Sequence, residues 1–236
     1  MMHSQLVSIP TLSDLDRQAM YHLLQHHFTG VTSDIFARDL ASKNWVILIK
    51  NQAAQLKGFS TLRLYDVTID GEELSVVYSG DTIVDPTAWS SATLPRAWIQ
   101  AINQLRCPDK RLFWLLISSG FRTYRLLPTF WQVFYPHYAQ PTPAAMKQLM
   151  DSLAQQQFGR AYDPTTGIVR FSQPQKLSPI LGTIPVERCR DPHIRFFEQA
   201  NPHHSQGDEL LCLTEICAEN LTPAGRRMWF SRSLAA

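Results

Sequence analysis

The stretch 72–106 most constrains what this chain can fold into, because it reads as a strand, a tight loop and a helix in immediate succession. Residues 72–85 (EELSVVYSGDTIVD) are β-branched and alternate enough for a strand. Residues 89–94 (WSSATL) are too small and polar to continue it. Pro95 then predicts a helix start, since proline is favoured at the first helical position, and Trp98, Ile99, Ile102 and Leu105 recur behind it at helical spacing. A strand that feeds a helix N-terminus is an anion site in waiting: unpaired backbone N–H groups and the positive end of the helix dipole both face the loop.

The flanking sequence extends the pattern. Residues 11–28 predict a first helix, with Ser13 as N-cap and Asp16 three residues on, and Ser33 is expected to cap a second helix through Lys43. Residues 45–50 (WVILIK) and 56–69 follow as strands, and Asp70-Gly71 is a hairpin signal leading into the 72–85 strand. After the helix, 111–118 (RLFWLLIS) is a near-continuous apolar run, as expected of a strand buried on both faces and parallel to 74–85.

Two helices, an antiparallel meander, then strand, loop and helix is an order similar to that of the GNAT superfamily of N-acyltransferases, and the resemblance covers residues 11–138. In that family the loop after the central strand carries Gln/Arg-x-x-Gly-x-Gly/Ala and holds the pyrophosphate of acyl-CoA. Here Trp89, Ala92 and Leu94 stand at the three motif positions and match none of them. Ser90, Ser91 and Ala92 are small enough for a phosphate to approach, but without glycine the tightest backbone conformations become costly.

The resemblance implies an α+β fold: a GNAT-like mixed sheet with splayed central parallel strands, flanked by helices, with residues 140–236 as an extension that packs on the same sheet and completes it. It implies a CoA or carrier-protein thioester as co-substrate and a primary amine, on a peptide or a small molecule, as acceptor. Donor contacts are expected from Ile83, Val84, Trp89, Ser90, Ser91, Ala92, Thr93, Leu94 and Arg96. The alternative function is a GNAT-like binding or scaffold protein without catalysis, which the missing glycines would explain.

Chemistry at an amine needs a base for its proton and a group to protonate the departing thiolate. Asp81, in Ser79-Gly80-Asp81, is an unexpected carboxylate in an apolar strand; burial would raise its pKa, and Gly80 could mark a bulge that aims it. The resemblance points to a tyrosine after the second parallel strand as the acid, and Tyr124 and Tyr135 both qualify. His203 and His204 are alternative bases, in a polar loop with Asp208 and Glu209 at the mouth of a strand over 209–216. The aromatics of 121–138 are either core or the wall of a tunnel for a long acyl chain, which would favour a medium or long chain over acetyl.

Composition narrows the rest. A net charge of only +2 argues against a general nucleic-acid binder. It is unevenly spread: Arg96, Arg106, Lys110, Arg111, Arg122, Arg125 and Lys147 face a single acid, Asp109, between residues 86 and 150, which suits a polyanionic donor or marks ordinary solvated helix faces. The four cysteines form no close pair, and His22 and His26, four apart on a helix, lack a third ligand, so no metal is expected. No apolar run approaches a membrane span and residues 1–10 lack a signal-peptide pattern, so the expectation is a cytoplasmic protein. Oligomeric state is not encoded in any of these features.

Overall fold

The computed structural model describes residues 2–89 and 91–230. In chain order it runs β1 (Met2–Ser8), α1 (Asp14–His27), β2 (Phe28–Thr29), α2 (Ser33–Ala41), β3 (Trp45–Asn51), β4 (Leu56–Ile69), β5 (Glu72–Val84), α3 (Thr93–Leu105) and β6 (Arg111–Ser118). Two short helices follow, α4 (Phe121–Tyr124) and α5 (Leu126–Phe130), and then α6 (Ala144–Phe158). The remainder comprises β7 (Tyr162–Asp163), β8 (Ile168–Val169), β9 (Lys176–Leu177), α7 (Pro179–Gly182), α8 (Pro192–Ala200), β10 (Glu209–Glu215) and α9 (Pro223–Trp229).

Eight strands form one mixed sheet in the order β1-β3-β4-β5-β6-β10-β8-β7. Its one parallel pair is β5 with β6, joined by the α3 crossover; all other neighbours are antiparallel. The β4–β5 hairpin turns at Asp70 and Gly71, whose φ angles of 51° and 83° are the left-handed pair that a two-residue turn requires.

Alternation along the strands feeds both faces. Ile47, Ile49 and Val77 pack with α3 residues Trp98, Ile99 and Ile102 on one side. Val46, Leu48 and Phe59 pack under α1 and α2, and Val76, Tyr78 and Leu115 under α6, on the other. The α1 N-terminus has the expected cap, Ser13 Oγ accepting from Asp16 N at 3.1 Å.

Local departures from the sequence expectation have local causes. Thr32, not Ser33, caps α2, accepting from Ile35 N at 3.3 Å, and the helix ends at Ala41 rather than Lys43. Helix α3 begins at Thr93, so Pro95 is its third residue, tolerated there because first-turn N–H groups have no intrahelical acceptor. Residues 2–8, expected only to lack a leader, form edge strand β1, paired from Met2↔Asn51 to Ser8↔Trp45.

Among the described residues the extension forms no sheet by itself: β7, β8 and β10 join the main sheet and β9 pairs with β2. Strand β10 lies along β6 from Leu210↔Ser118 to Glu215↔Phe113, and β9 pairs with β2 through Phe28↔Leu177 and Thr29↔Lys176. Among the described residues no helix is long and apolar enough to cross a membrane.

Candidate active site

Two irregularities in β5 make the site. The first is a bulge: Ser60 pairs with Thr82 and Leu62 with Ser79, so Gly80 and Asp81 together oppose the single residue Thr61. A bulge bends its strand and re-aims a side chain, here that of Asp81. The second is a splay. Parallel pairing with β6 stops at Ser79↔Leu116, although β5 runs on to Val84 and β6 to Ser118. Between the diverging ends opens a cavity of about 920 Å³, walled by Asp81–Val84, Leu116–Arg122 and, from the extension, Phe171, Leu177, Leu181 and Arg188. A splayed parallel pair in a mixed sheet is the architecture that the resemblance to the GNAT superfamily implies. The fold is GNAT-like.

One end of the cavity is acidic. Asp81, Glu209 (the first residue of β10), Asp39 of α2 and Tyr78 of β5 all stand on its wall. Both Asp81 and Glu209 are half-buried, facing the cavity but walled in by protein. Burial pushes Asp81 up to about 7, with the charge of Asp39 adding to the rise and that of Lys43 opposing it. Burial likewise lifts Glu209 to about 8, reinforced by Asp81 and Asp39. Burial, then the same carboxylates, raises the Tyr78 phenol well above its ordinary range.

The nearby cation, Lys43, has a side chain only 1% exposed. Its Nζ donates to Asp39 Oδ1 at 2.5 Å and to Ser42 Oγ at 2.9 Å, and lies 5.3 Å from the centroid of the Tyr78 ring. Asp39 Oδ2 is buried with no hydrogen-bond partner among the described residues. Asp81 and Glu209, so placed, do not both ionise fully at neutral pH and can accept a proton from a bound group near pH 7.

Part of the wall is indole. Ser79 Oγ accepts from both Trp98 Nε1 (3.2 Å) and Trp114 Nε1 (2.9 Å). The Trp98 and Trp114 ring centroids lie 4.5 Å apart and those of Trp114 and Trp131 4.9 Å. All three rings border the cavity, and the Trp131 Nε1 is buried without a partner among the described residues.

The loop between β5 and α3 also contributes to the wall, through Trp89 and Ser91. Trp89 Nε1 donates to Val84 O at 2.9 Å, which holds the ring at the mouth, and the Arg122 guanidinium lies 4.5 Å over that ring. The α3 N-terminus is only partly available to a ligand: Ala92 supplies no side-chain cap, Pro95 has no N–H, and the N–H of Thr93 donates to Ser91 Oγ at 3.2 Å.

Of the residues singled out from sequence, Asp81, Ile83, Val84, Trp89, Ser91 and Leu94 line this cavity. Ser90 lies outside the described residues. Ala92 and Arg96 are exposed, and neither they nor Thr93 is on the wall. Tyr124 does not reach it either: it is fully buried among Phe134, Phe196 and Phe197, and its hydroxyl donates to Pro136 O at 3.0 Å. Tyr135 is bound to β10 through reciprocal backbone hydrogen bonds with Leu213 and borders a separate pocket of about 390 Å³. His203 is exposed, with Nδ1 3.4 Å from Gln206 Nε2. The tyrosine that the fold brings to the carboxylates is Tyr78, from the central strand itself. The partner it brings to Asp81 is Glu209, whose signal in the sequence was the same as that of Asp81: a carboxylate at an apolar strand. Among the described residues no group of three His, Cys, Asp or Glu is arranged to hold a metal.

No family model matches the chain, and no curated protein does. Among solved structures it is similar to the GNAT family N-acetyltransferase YhbS from Escherichia coli in complex with CoA, with 14% identity, 55% of this chain and 69% of that one covered, and a TM-score of 0.39. It is also similar to a conserved protein of unknown function from Enterococcus faecalis V583, titled a probable N-acyltransferase (8% identity, 92% and 66% covered, TM-score 0.42). A third is Arabidopsis thaliana NAA60 in complex with acetyl-CoA (15%, 56% and 88%, 0.40).

Proposed function

We propose that this chain is an N-acyltransferase that moves an acyl group, medium or long rather than acetyl, from a pantetheine thioester of CoA or a carrier protein to a primary amine of a peptide or small molecule. The observation that carries the reading is the bulge at Gly80-Asp81 beside the splayed strands, which puts a carboxyl of raised pKa on the wall of a cavity open between β5 and β6.

The thioester arm enters between the diverging strands, past Ile83 and Val84, and its carbonyl carbon comes to rest near the bulge. An amine held at the acidic end attacks that carbon. Asp81, or its partner Glu209, takes the amine proton, the C–S bond breaks as the C–N bond completes, and the thiolate regains a proton from Tyr78 or from the carboxyl just protonated. Two carboxyls sharing protons near neutrality suit this exchange better than one with an ordinary pKa.

The indole wall of Trp98, Trp114 and Trp131 supports the chain-length part of the reading, since each methylene buried there contributes about 0.8 kcal/mol. Incubation with acyl-CoAs from C2 to C16 and a panel of amines, read out as product masses, tests it. Transfer that rises with chain length is expected; preference for acetyl over C8 and longer donors would contradict the chain-length reading, and no transfer from any donor would contradict the enzymatic one.

A further inference from the structure

The cavity wall carries both signs of charge, with Arg38 on α2 next to Asp39 in sequence. Asp39 and Asp81 act on Glu209, and Asp39 and Lys43 act on Asp81. Three further arginines are on the wall, Arg122, Arg125 and Arg188, and the charge of Arg188 acts on both of the others. Arg122 belongs to α4 and Arg125 immediately follows it, while Arg188 comes from the extension. The two groups of charge therefore come from different elements, and the extension supplies one member of each.

We infer that Arg122, Arg125 and Arg188 form a subsite for the donor's phosphate, the anionic group shared by CoA and the phosphopantetheine arm of a carrier protein. The inference rests on the acyl-transfer reading for the donor, and goes beyond it in naming which side chains hold the anion.

Several observations converge on it. The loop expected to cradle the phosphate has no glycine, and of the first-turn N–H groups of α3 one is absent at Pro95 and another is already engaged by Ser91. The missing attraction is available from across the mouth, since the Arg122 guanidinium lies over the Trp89 ring of that loop. Arg122 is fixed in place, with Nη1 donating to Leu181 O at 2.6 Å and its plane 4.5 Å from the Phe121 ring centroid. A guanidinium held in one geometry gives a bidentate match to phosphate at little further entropic cost.

Counter-charge is incomplete. Asp191 pairs with Arg125, and Glu187 lies on the wall beside Arg188, but among the described residues neither Arg122 nor Arg188 forms an ion pair. Burial, and then the charge of Arg188, makes protonation of both Arg122 and Arg125 costlier than in water. An anion bound among the three relieves that repulsion. With the phosphate at the arginines and the amine at the carboxylates, charge orients donor and acceptor relative to one another.

The test uses calorimetric titration of the full chain with CoA, with a phosphopantetheinylated carrier protein and with pantetheine, which lacks the phosphate. Arg188 is the residue to change, since it is exposed and free of ion pairs among the described residues, so Arg188→Ala, Arg188→Glu and Arg188→Lys should leave the melting temperature near that of the wild type. Arg188→Ala is expected to weaken phosphate-bearing donors about tenfold and Arg188→Glu more, as loss of a charge-assisted hydrogen bond does. Arg188→Lys should retain most of the affinity, and none of the three should alter pantetheine binding. The phosphate-bearing arm that shows this dependence identifies the source of the anion. Equal binding of it by wild type and Arg188→Glu overturns the subsite alone. Failure of wild type to bind either phosphate-bearing donor overturns the donor reading, and the subsite with it.

Discussion

Gly80 lies against the side chain of Lys43, so closely that a Cβ at residue 80 would fall 2.4 Å from Lys43 Cε. It would also fall 2.6 Å from Thr61 Oγ1. Lys43 cannot swing away cheaply, because it is buried and tied to Asp39. Gly80→Ala is therefore expected to destabilise the chain by about 1–3 kcal/mol, the usual range for overpacking. Urea unfolding followed by tryptophan fluorescence measures it, and an unchanged midpoint would mean that the bulge does not need the close approach.

Ser79 ties two indoles to the central strand through one oxygen. Ser79→Ala leaves the N–H groups of Trp98 and Trp114 unpaired in a buried site, at a cost of about 1–3 kcal/mol for each. Denaturant unfolding should show a loss of about 2–6 kcal/mol. Little or no loss would show that the indoles find other acceptors.

Asp81 and Glu209 give stability a distinctive dependence on pH. Their folded pKa values are raised, to about 7 and about 8, above unfolded values of about 4. The folded state thus binds more protons than the unfolded one across that window. Their contribution is fully present below about pH 4 and is lost as pH rises through 7 to 8. Asp81→Asn should accordingly gain melting temperature relative to wild type on going from pH 5 to pH 9. A difference that is flat with pH would mean that Asp81 titrates like an exposed carboxylate.

The same groups set the pH dependence of transfer. A base must be unprotonated to accept the amine proton, so the rate at saturating substrate should rise as pH increases through about 7. In Asp81→Asn that limb should vanish or move. A wild-type rate with no limb between pH 6 and 8 would remove the carboxyl pair from the proton path.

The sheet was legible because its signals are local. Hairpin chemistry at Asp70-Gly71 and the apolar run 111–118 each act within a few residues. Strand β10 was visible as an apolar run, but its place beside β6 is set by the path of the extension and was not legible. Helix starts were less secure, since Thr32 and Ser33 are both good caps and only packing chooses between them.

The site was half legible. Asp81 and Gly80 declared themselves as a carboxylate and a glycine inside an apolar strand, and the fold makes a bulge of them. Glu209 and Arg188 are brought to the cavity by the path of the extension, a long-range matter that no periodicity encodes. Nothing in the sequence sets Tyr78 apart from a core aromatic: it packs against Phe158 at 5.5 Å between centroids, and its nearness to Asp39, Asp81 and Glu209 comes from the tertiary fold.

The central claim is that a carboxyl on the bulged strand accepts the proton of an amine during acyl transfer. Its most direct test is the single-turnover rate of acyl transfer from a C8 or longer acyl-CoA to a productive amine, measured by product mass for wild type and Asp81→Asn, with donor affinity measured in parallel. The account predicts transfer by wild type and a loss of about 10²–10⁴-fold in Asp81→Asn at unchanged donor affinity. Equal rates for the two proteins would contradict it.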